Sequence, residues 1–272
     1  MRILKQELYR AFCNWKFITS IAIGLTIVMV QLIMYTVPAT HFLNLYESDS
    51  GLIPHSVFNQ WFGSTASVCL ILYYIILPIL CAFPHADSFQ WDLKTGYWKN
   101  IITRCEKRKY INAKFLAVYL SGATVAVVPP LVNLLLNMMF LPSITPLAAF
   151  GIYPIDATSM FGSVYYSKPY VYLLIMFTMN FIGFGAISVL ALPFSFVFTN
   201  RFMVVISPFL IYYITSAFFD LMGIPSLSPM NFLRFDQPAR GTSFSVSLAI
   251  ILFCTIISYC VFICKGIKTE DL

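Results

Sequence analysis

Charged residues are scarce in this sequence, since Asp, Glu, Lys and Arg make up only 10% of its 272 residues. A soluble domain carries about 25% charged residues, and a disordered chain combines high charge with low hydrophobicity. Both classes are excluded, because 59% of the residues are hydrophobic. An all-α integral membrane protein is predicted instead, because a spanning helix needs about 20 mostly apolar residues. Five runs without charge meet this need, namely 17–46, 115–155, 169–200, 202–219 and 241–264.

Six transmembrane helices are predicted within a single membrane domain that comprises residues 1–272. The third span contains Pro129 and Pro130 and is too long for one straight crossing. Proline removes a backbone donor and clashes with the preceding turn, so a kink is expected there. The kink is either a tolerated feature of a packed bundle or a moving hinge. The predicted spans are 17–37, 63–83, 112–141, 170–192, 203–222 and 244–264.

Basic residues fall mainly on one side of these spans. Fourteen of the 17 Lys and Arg residues lie in segments that the six-span arrangement places together, and seven of them lie between Lys94 and Lys114. Loops on the cytoplasmic side carry an excess of Lys and Arg, so both termini are predicted to be cytoplasmic. The net charge of +6 then reflects topology and attraction to anionic lipid, not nucleic-acid binding. The predicted outer loops are 38–62, 142–169 and 223–243, and part of the last could dip into the membrane.

Several motifs that carry chemistry are missing. No Gly-Lys dipeptide occurs, so a Walker-type phosphate loop is absent and no ATP site is expected in this chain. The three histidines and seven cysteines are scattered, so neither a metal site nor a disulfide framework is predicted. No predicted span has an acidic residue near its middle, which a proton relay would need. No catalytic residue and no bound cofactor are therefore assigned.

Amide side chains are among the few polar groups inside the predicted spans. Asn133 and Asn137 lie four residues apart and share a helix face, and Asn180 lies in the fourth span. Such residues commonly hydrogen-bond between membrane helices. These three residues have two possible roles, in helix packing or in a substrate pathway, and the sequence does not choose between them.

Residues 1–16 are predicted to form an amphipathic helix in the membrane interface. Apolar side chains recur at helical spacing, while basic residues occupy other positions and are expected to face lipid headgroups. The helix could be a simple anchor for the first span, or it could link the membrane domain to a cytoplasmic partner. Its apolar positions are Leu4, Leu8, Phe12 and Trp15.

The loop 84–111 is the most informative cytoplasmic segment. Asp87 is expected to cap a short helix, and Gly96 is expected to end it in a left-handed conformation. Aromatic anchors with a charged rim are typical of protein-docking surfaces, although aromatic residues also mark the membrane interface. Both interpretations are open for the aromatic residues expected to be exposed here, which are Phe89, Trp91, Tyr97 and Trp98.

The six-span plan, the basic amphipathic helix and this loop resemble the permease subunits of bacterial ABC exporters of the drug, bacteriocin or polysaccharide type. In that family an acidic residue after the second span is followed by Gly, an apolar pair, a basic cluster and a Lys that opens the third span. Arg104-Cys105 stands where the family often has proline. The residues that fit the pattern are Asp92, Gly96, Ile101-Ile102, Arg108 and Lys114.

The resemblance implies a coupling helix in the loop 84–111, which docks on a separate P-loop ATPase subunit that binds ATP and Mg. It also implies a second permease chain, as a homodimer or heterodimer, and a bacterial cytoplasmic membrane. An antimicrobial peptide, a lipid or a hydrophobic drug is the expected substrate. The coupling residues would be Asp87, Phe89, Trp91, Asp92, Gly96, Arg104 and Arg108.

Two other functions are considered. A secondary transporter would need charged residues within its spans, and none is visible in the sequence. A membrane-embedded lipid-modifying enzyme would need a cluster of reactive side chains at a membrane face. The only candidates for such a cluster are His85, Asp87 and Asp92.

Overall fold

The computed structural model describes residues 2–41, 55–64, 67–148, 153, 155–156 and 159–268. Helices joined by turns make up most of these ranges, and no strand occurs in them, which confirms the all-α class. In chain order the helices are α1 (Arg2–Phe12), α2 (Trp15–Gln31), α3 (Val37–His41), α4 (Val57–Gln60), α5 (Val68–Ala82), α6 (Ser88–Lys94), α7 (Tyr97–Ile102), α8 (Lys107–Phe140), α9 (Gly162–Ser167), α10 (Pro169–Val189), α11 (Ala191–Phe194), α12 (Arg201–Leu221), α13 (Pro229–Phe232) and α14 (Phe244–Lys268).

Five helical stretches are long and apolar enough to cross a membrane, which confirms an integral membrane protein. The second predicted span, 63–83, is observed as the shorter apolar helix α5, which has 15 residues. That length falls below the roughly 20 residues of a straight crossing. The five long stretches are Trp15–His41, Lys107–Phe140, Pro169–Phe194, Arg201–Leu221 and Phe244–Ile267.

Prolines at two sites within the long helical stretches are accommodated differently. Pro129 and Pro130 lie within the continuous helix α8, where both are buried. A Cβ added to Gly24 would lie 2.7 Å from the Pro129 Cγ, so this part of α8 is in close contact with α2. In the first stretch, a π-helical turn over Leu32–Thr36 lies just before Pro38. Proline has no N–H to donate to the preceding turn, and wide turns accommodate such a break. A hinge in α8 stays a prediction.

The segment after α12 folds back into the helix bundle. The Leu233 carbonyl accepts hydrogen bonds from the Tyr74 hydroxyl at 3.1 Å and from the Asn180 Nδ2 at 2.9 Å. Tyr74 and Asn180 lie near the middle of α5 and α10, so Leu233 lies deep between them. Entry of part of 223–243 into the membrane stays a prediction. In a membrane, irregular backbone is tolerated where surrounding helices cover it, as they do here.

Small residues let α5, α8 and α10 approach closely at the centre of the bundle. A Cβ built on Gly122 would lie 2.5 Å from the Ser188 Oγ and 2.9 Å from the Cys81 carbonyl oxygen. The Cys81 contact is to backbone, so a rotamer change cannot relieve it. Small residues at such crossings are typical of membrane helix packing.

The Gly122→Val substitution is expected to lower the free energy of unfolding by about 1–3 kcal/mol, because overpacking forces the helices apart. Thermal unfolding in detergent micelles measures the change. Thr178→Val places the same side chain at an exposed position of α10 and is the control. Equal melting temperatures for the two variants would contradict the close packing.

Candidate functional site

The loop 84–111 folds into the short helices α6 and α7. Gly96 lies between them with φ +70°, which confirms the expected left-handed end of α6. Asp87 is the N-cap residue of α6, as expected, but its side chain makes no capping hydrogen bond. Its carboxylate instead accepts from the Lys16 Nζ at 2.6 Å and pairs with the Arg201 guanidinium at 2.6 Å. Asp87 therefore connects the loop to the beginnings of α2 and α12.

Asp92 is the most heavily engaged acidic residue of the loop. Two nitrogens of Arg10 donate to its carboxylate at 2.8 and 3.2 Å, and the Lys114 Nζ donates at 2.7 Å. The Tyr110 hydroxyl also donates to it. Because these donors come from α1 and α8, Asp92 holds three parts of the chain together.

Glu7 of α1 completes the arrangement. Its carboxylate pairs with Arg10 at 2.7 Å and with Lys114 at 2.7 Å. The Lys114 side chain is 0% exposed and bridges Glu7 and Asp92. We call Glu7, Arg10, Asp92 and Lys114 the buried charge cluster. Its two negative and two positive charges balance, as charges removed from water require.

Charge pairing keeps both carboxylates of the cluster ionised. Burial alone raises the pKa of Asp92. The charge of Lys114 and the hydrogen bonds from Arg10 lower it by more than burial raises it, so the net shift is downward. For Glu7, burial also raises the pKa, while the hydrogen bond from His85 and the charge of Lys114 outweigh it. The net charge of the cluster is therefore zero at neutral pH.

His85 lies beside the cluster, with its Nε2 3.2 Å from a Glu7 carboxylate oxygen. Burial lowers the pKa of His85 to about 4, although the hydrogen bond to Glu7 opposes this shift. The ring is therefore neutral at pH 7. A neutral imidazole still donates from one nitrogen, so Nε2–H donates to Glu7.

Helix α1 is observed where an amphipathic helix was predicted, but its orientation corrects one expectation. Glu7 and Ala11 are buried on the side that packs against the rest of the chain. Arg10 points inward to Asp92, so the basic residues do not all face lipid headgroups. Leu4 and Leu8 lie on the same face of α1 as Glu7 and Ala11 and are half-buried there.

The aromatic residues of the loop divide into buried and exposed groups. Phe89 and Trp98 are buried, so the expectation that they are exposed is wrong. The Phe89 ring lies 4.9 Å from the Phe262 ring, which anchors α6 on α14. Trp91 is 45% exposed, and the Arg201 guanidinium lies 4.4 Å from its ring centre. Tyr97 is half-buried.

The seven residues assigned to coupling therefore have different surroundings. Asp87, Phe89 and Asp92 are packed inside the chain, where they position the loop. The other four residues are more accessible, since Trp91, Arg104 and Arg108 are exposed and Gly96 is half-buried. We call these four residues the coupling surface. Docking on an ATPase stays a prediction for this surface. The residues of the coupling surface are Trp91, Gly96, Arg104 and Arg108.

The amide residues of the spans are buried and hydrogen-bonded. The Asn133 side chain donates to the Val28 carbonyl at 2.9 Å and accepts from the Phe62 backbone N–H at 3.0 Å. Asn137 donates to the Asn133 carbonyl oxygen and accepts from the Thr36 hydroxyl at 2.8 Å. This geometry favours helix packing over a substrate pathway.

Asn180 makes similar contacts. Its Nδ2 donates to the Met176 and Leu233 carbonyls, and its Oδ1 accepts from the Tyr74 hydroxyl. The side chain therefore anchors the segment that folds back into the bundle. Packing is again the favoured role.

Sequence reasoning missed the partners of Asp92. Glu7 and Arg10 lie within the predicted interfacial helix 1–16, and Lys114 is predicted only as one of the basic residues of the loop and as a match to the family pattern. One signal was available, because a Lys at the beginning of an apolar span, as Lys114 is, often pairs with an acidic residue. Its identity was not readable, since Arg10 and Asp92 are 82 positions apart.

No group of three or more His, Cys, Asp or Glu residues suited to holding a metal ion occurs in the part of the chain that the structure describes. Comparisons with protein-family profiles, with curated proteins and with solved structures find no match to this chain. Function is therefore inferred from the geometry of the chain itself.

Lys114→Met is expected to lower the free energy of unfolding by about 3–5 kcal/mol, because it leaves two buried carboxylates with too little positive charge. Lys109→Met is the control, since Lys109 pairs with Glu106 on the exposed surface. Chemical unfolding in detergent micelles compares the two. If both variants were as stable as the parent, the cluster would not hold the loop in place.

His85 is expected to make stability depend on pH. An unfolded histidine has a pKa near 6.5, and the folded value is about 4. Between these values the unfolded chain binds more protons, so stability falls as pH falls. From pH 7.5 to pH 5 the expected loss is about 2 kcal/mol, at roughly 1.4 kcal/mol per pKa unit.

Unfolding measured at pH 7.5, 6.5 and 5.5 checks this slope. His85→Gln keeps a side-chain donor for Glu7 but cannot titrate, so it should flatten the dependence. His41→Gln at an exposed position should retain the full slope. An unchanged slope in His85→Gln would contradict the neutral, buried state of His85.

Proposed function

We propose that the chain is the membrane-spanning subunit of an ATP-driven ABC exporter. It would act with a separate ATPase subunit, which binds ATP and Mg, and with a second permease chain. One observation carries the proposal, namely that an exposed helical loop is fastened by buried charges to the spanning helices.

The fastening suits the loop for transmitting force. Asp92 connects it to α8 through Lys114 and to α1 through Arg10. Asp87 connects it to α2 and α12, and Phe89 connects it to α14. Removing one partner of a buried ion pair costs about 3–5 kcal/mol. A push on the loop would therefore move the ends of several spans together.

The coupling surface suits a protein partner. Trp91 presents an exposed ring beside Arg201, and Arg104 and Arg108 add exposed positive charge. Trp and Arg are the residues that most often dominate binding energy at interfaces. An acidic groove on the ATPase would complement this surface.

The proposal includes the full six-span topology. Helix α5 would be the second span, although its 15 residues extend only about 22 Å along the axis. The buried residues Phe58 and Phe62 would cover its outer end. With 14 of the 17 basic residues on one side, both termini would face the cytoplasm of a bacterial cell.

The proposed substrate is apolar or amphipathic, such as an antimicrobial peptide, a lipid or a hydrophobic drug. Two identical chains or two related chains would form the path. The side chains considered for a lipid-modifying enzyme do not favour that alternative. His85 is paired with Glu7, Asp87 with Lys16 and Arg201, and Asp92 with Arg10 and Lys114.

A photo-crosslinking amino acid at position 91 of the tagged full chain, expressed in its native host, tests the proposal. Mass spectrometry of the crosslinked product should identify a P-loop ATPase. The same probe at position 256 is the control, because Ile256 is 59% exposed on α14, away from the loop. Trp91→Glu should lower the ATPase activity that co-purifies with the chain at least tenfold, since a lost aromatic anchor costs 2 kcal/mol or more.

Two results would count against an exporter subunit. The first is a purified, folded chain with no associated ATPase and no ATPase crosslink at position 91. The second is undiminished co-purifying activity in Trp91→Glu. In both cases the melting temperature of each variant must match that of the parent, so that unfolding is excluded.

A further inference from the structure

A groove of about 740 Å³ runs along one side of the bundle between α10, α12, α13 and α14. Gly183 and Ile187 line it from α10, Tyr212 from α12 and Ala249 from α14. Its volume lies within the roughly 300–1,000 Å³ of typical ligand sites. None of the residues that line it belongs to the coupling surface.

The chemistry of the wall selects the class of occupant. Almost every lining group is carbon, and the Thr215 hydroxyl donates back to the Ile211 carbonyl at 2.6 Å. The buried Tyr212 hydroxyl has no partner among the described residues, so it could offer one hydrogen bond. A peptide would bring many backbone groups, and each one left unpaired in apolar surroundings costs several kcal/mol. A hydrocarbon chain has no polar groups to leave unpaired, so its binding avoids this cost.

The mouth of the groove opens where the chain meets hydrocarbon. Phe253 of α14 lines the groove and is 65% exposed, and Ile214 of α12 is also exposed. These side chains lie on two of the stretches long enough to cross a membrane. The surrounding medium at this surface is therefore made of acyl chains.

Polar residues lie before and at the beginning of α14, which lines the groove. Ser245 lines the groove near the beginning of α14, and its hydroxyl bonds with that of Ser243. Arg240 lies five residues before Ser245 and is 82% exposed, although its Nε is 3.2 Å from Asp156. A guanidinium has five N–H donors, so others remain for an anionic group.

We propose that the groove binds one acyl chain of an anionic membrane phospholipid, with the headgroup at Arg240. The apolar groove matches the acyl chain, and the exposed guanidinium of Arg240, five residues before the lining residue Ser245, matches the anionic headgroup. The inference does not depend on the exporter function, because it uses only the groove and its surroundings.

Ala249→Trp tests the site by filling it, since Ala249 is exposed in the groove and a larger ring has room there. Ile256→Trp adds the same ring to α14 outside the groove and is the control. The full chain is reconstituted with phosphatidylglycerol and phosphatidylcholine in equal amounts and then washed in detergent. Mass spectrometry counts the phospholipid retained per folded chain.

The parent and Ile256→Trp should retain about one phospholipid that Ala249→Trp loses. Ala249→Leu, a milder change, should retain an intermediate amount, and this keeps the test open if the Trp variant does not fold. Equal retention in all variants would overturn the proposal. Loss of self-association in Ala249→Trp with lipid retention unchanged would instead assign the groove to a second copy of the chain.

Arg240→Gln tests the placement of the headgroup. It should reduce the preference for phosphatidylglycerol over phosphatidylcholine about fivefold, since one basic residue near anionic lipid contributes about 1 kcal/mol. Lys168→Gln removes an exposed cation at the beginning of α10 and should leave the preference unchanged. An unchanged preference in Arg240→Gln would overturn the proposed orientation.

Discussion

The ammonium group of Lys114 has no access to solvent, and the rest of the loop architecture depends on how its charge is compensated. A buried charge is tolerated only when it is paired and hydrogen-bonded. Glu7 and Asp92 supply the pairing, each at 2.7 Å. Because Glu7 belongs to α1 and Asp92 to α6, satisfying one lysine of α8 fixes the positions of three helices. Arg10 then balances the second negative charge.

This requirement separates two tasks within the loop 84–111. Side chains on its inner side, such as Asp92 and Phe89, are used to hold it on the bundle and cannot also contact another protein. The outer side is left with Trp91 and exposed basic residues. A loop held in this way presents its outer surface with little conformational freedom. Less ordering entropy is then lost when a partner binds.

Much of the fold was predictable because scarcity of charge marks membrane helices directly. Long apolar runs identified five spans, and Gly96 identified the end of α6 because only a residue without Cβ adopts φ +70° easily. Ion-pair partners were not predictable, since the sequence near a membrane surface is equally compatible with a solvated and with a buried charged side chain. The same ambiguity explains the wrong expectation for Phe89 and Trp98, whose rings suit a core, a lipid interface or a docking surface.

Polar groups are satisfied differently along the bundle. Ionised side chains gather at the Lys114 end of α8, while neutral amides such as Asn133 lie about 28 Å further along it. Neutral amides cost less to bury than charges, so the amides need only hydrogen-bond partners, whereas Lys114 needs opposite charges as well. The groove between α10, α12 and α14 differs from both regions, because its wall has almost no polar groups to satisfy. The unfilled groove at that surface is therefore suited to a hydrocarbon chain.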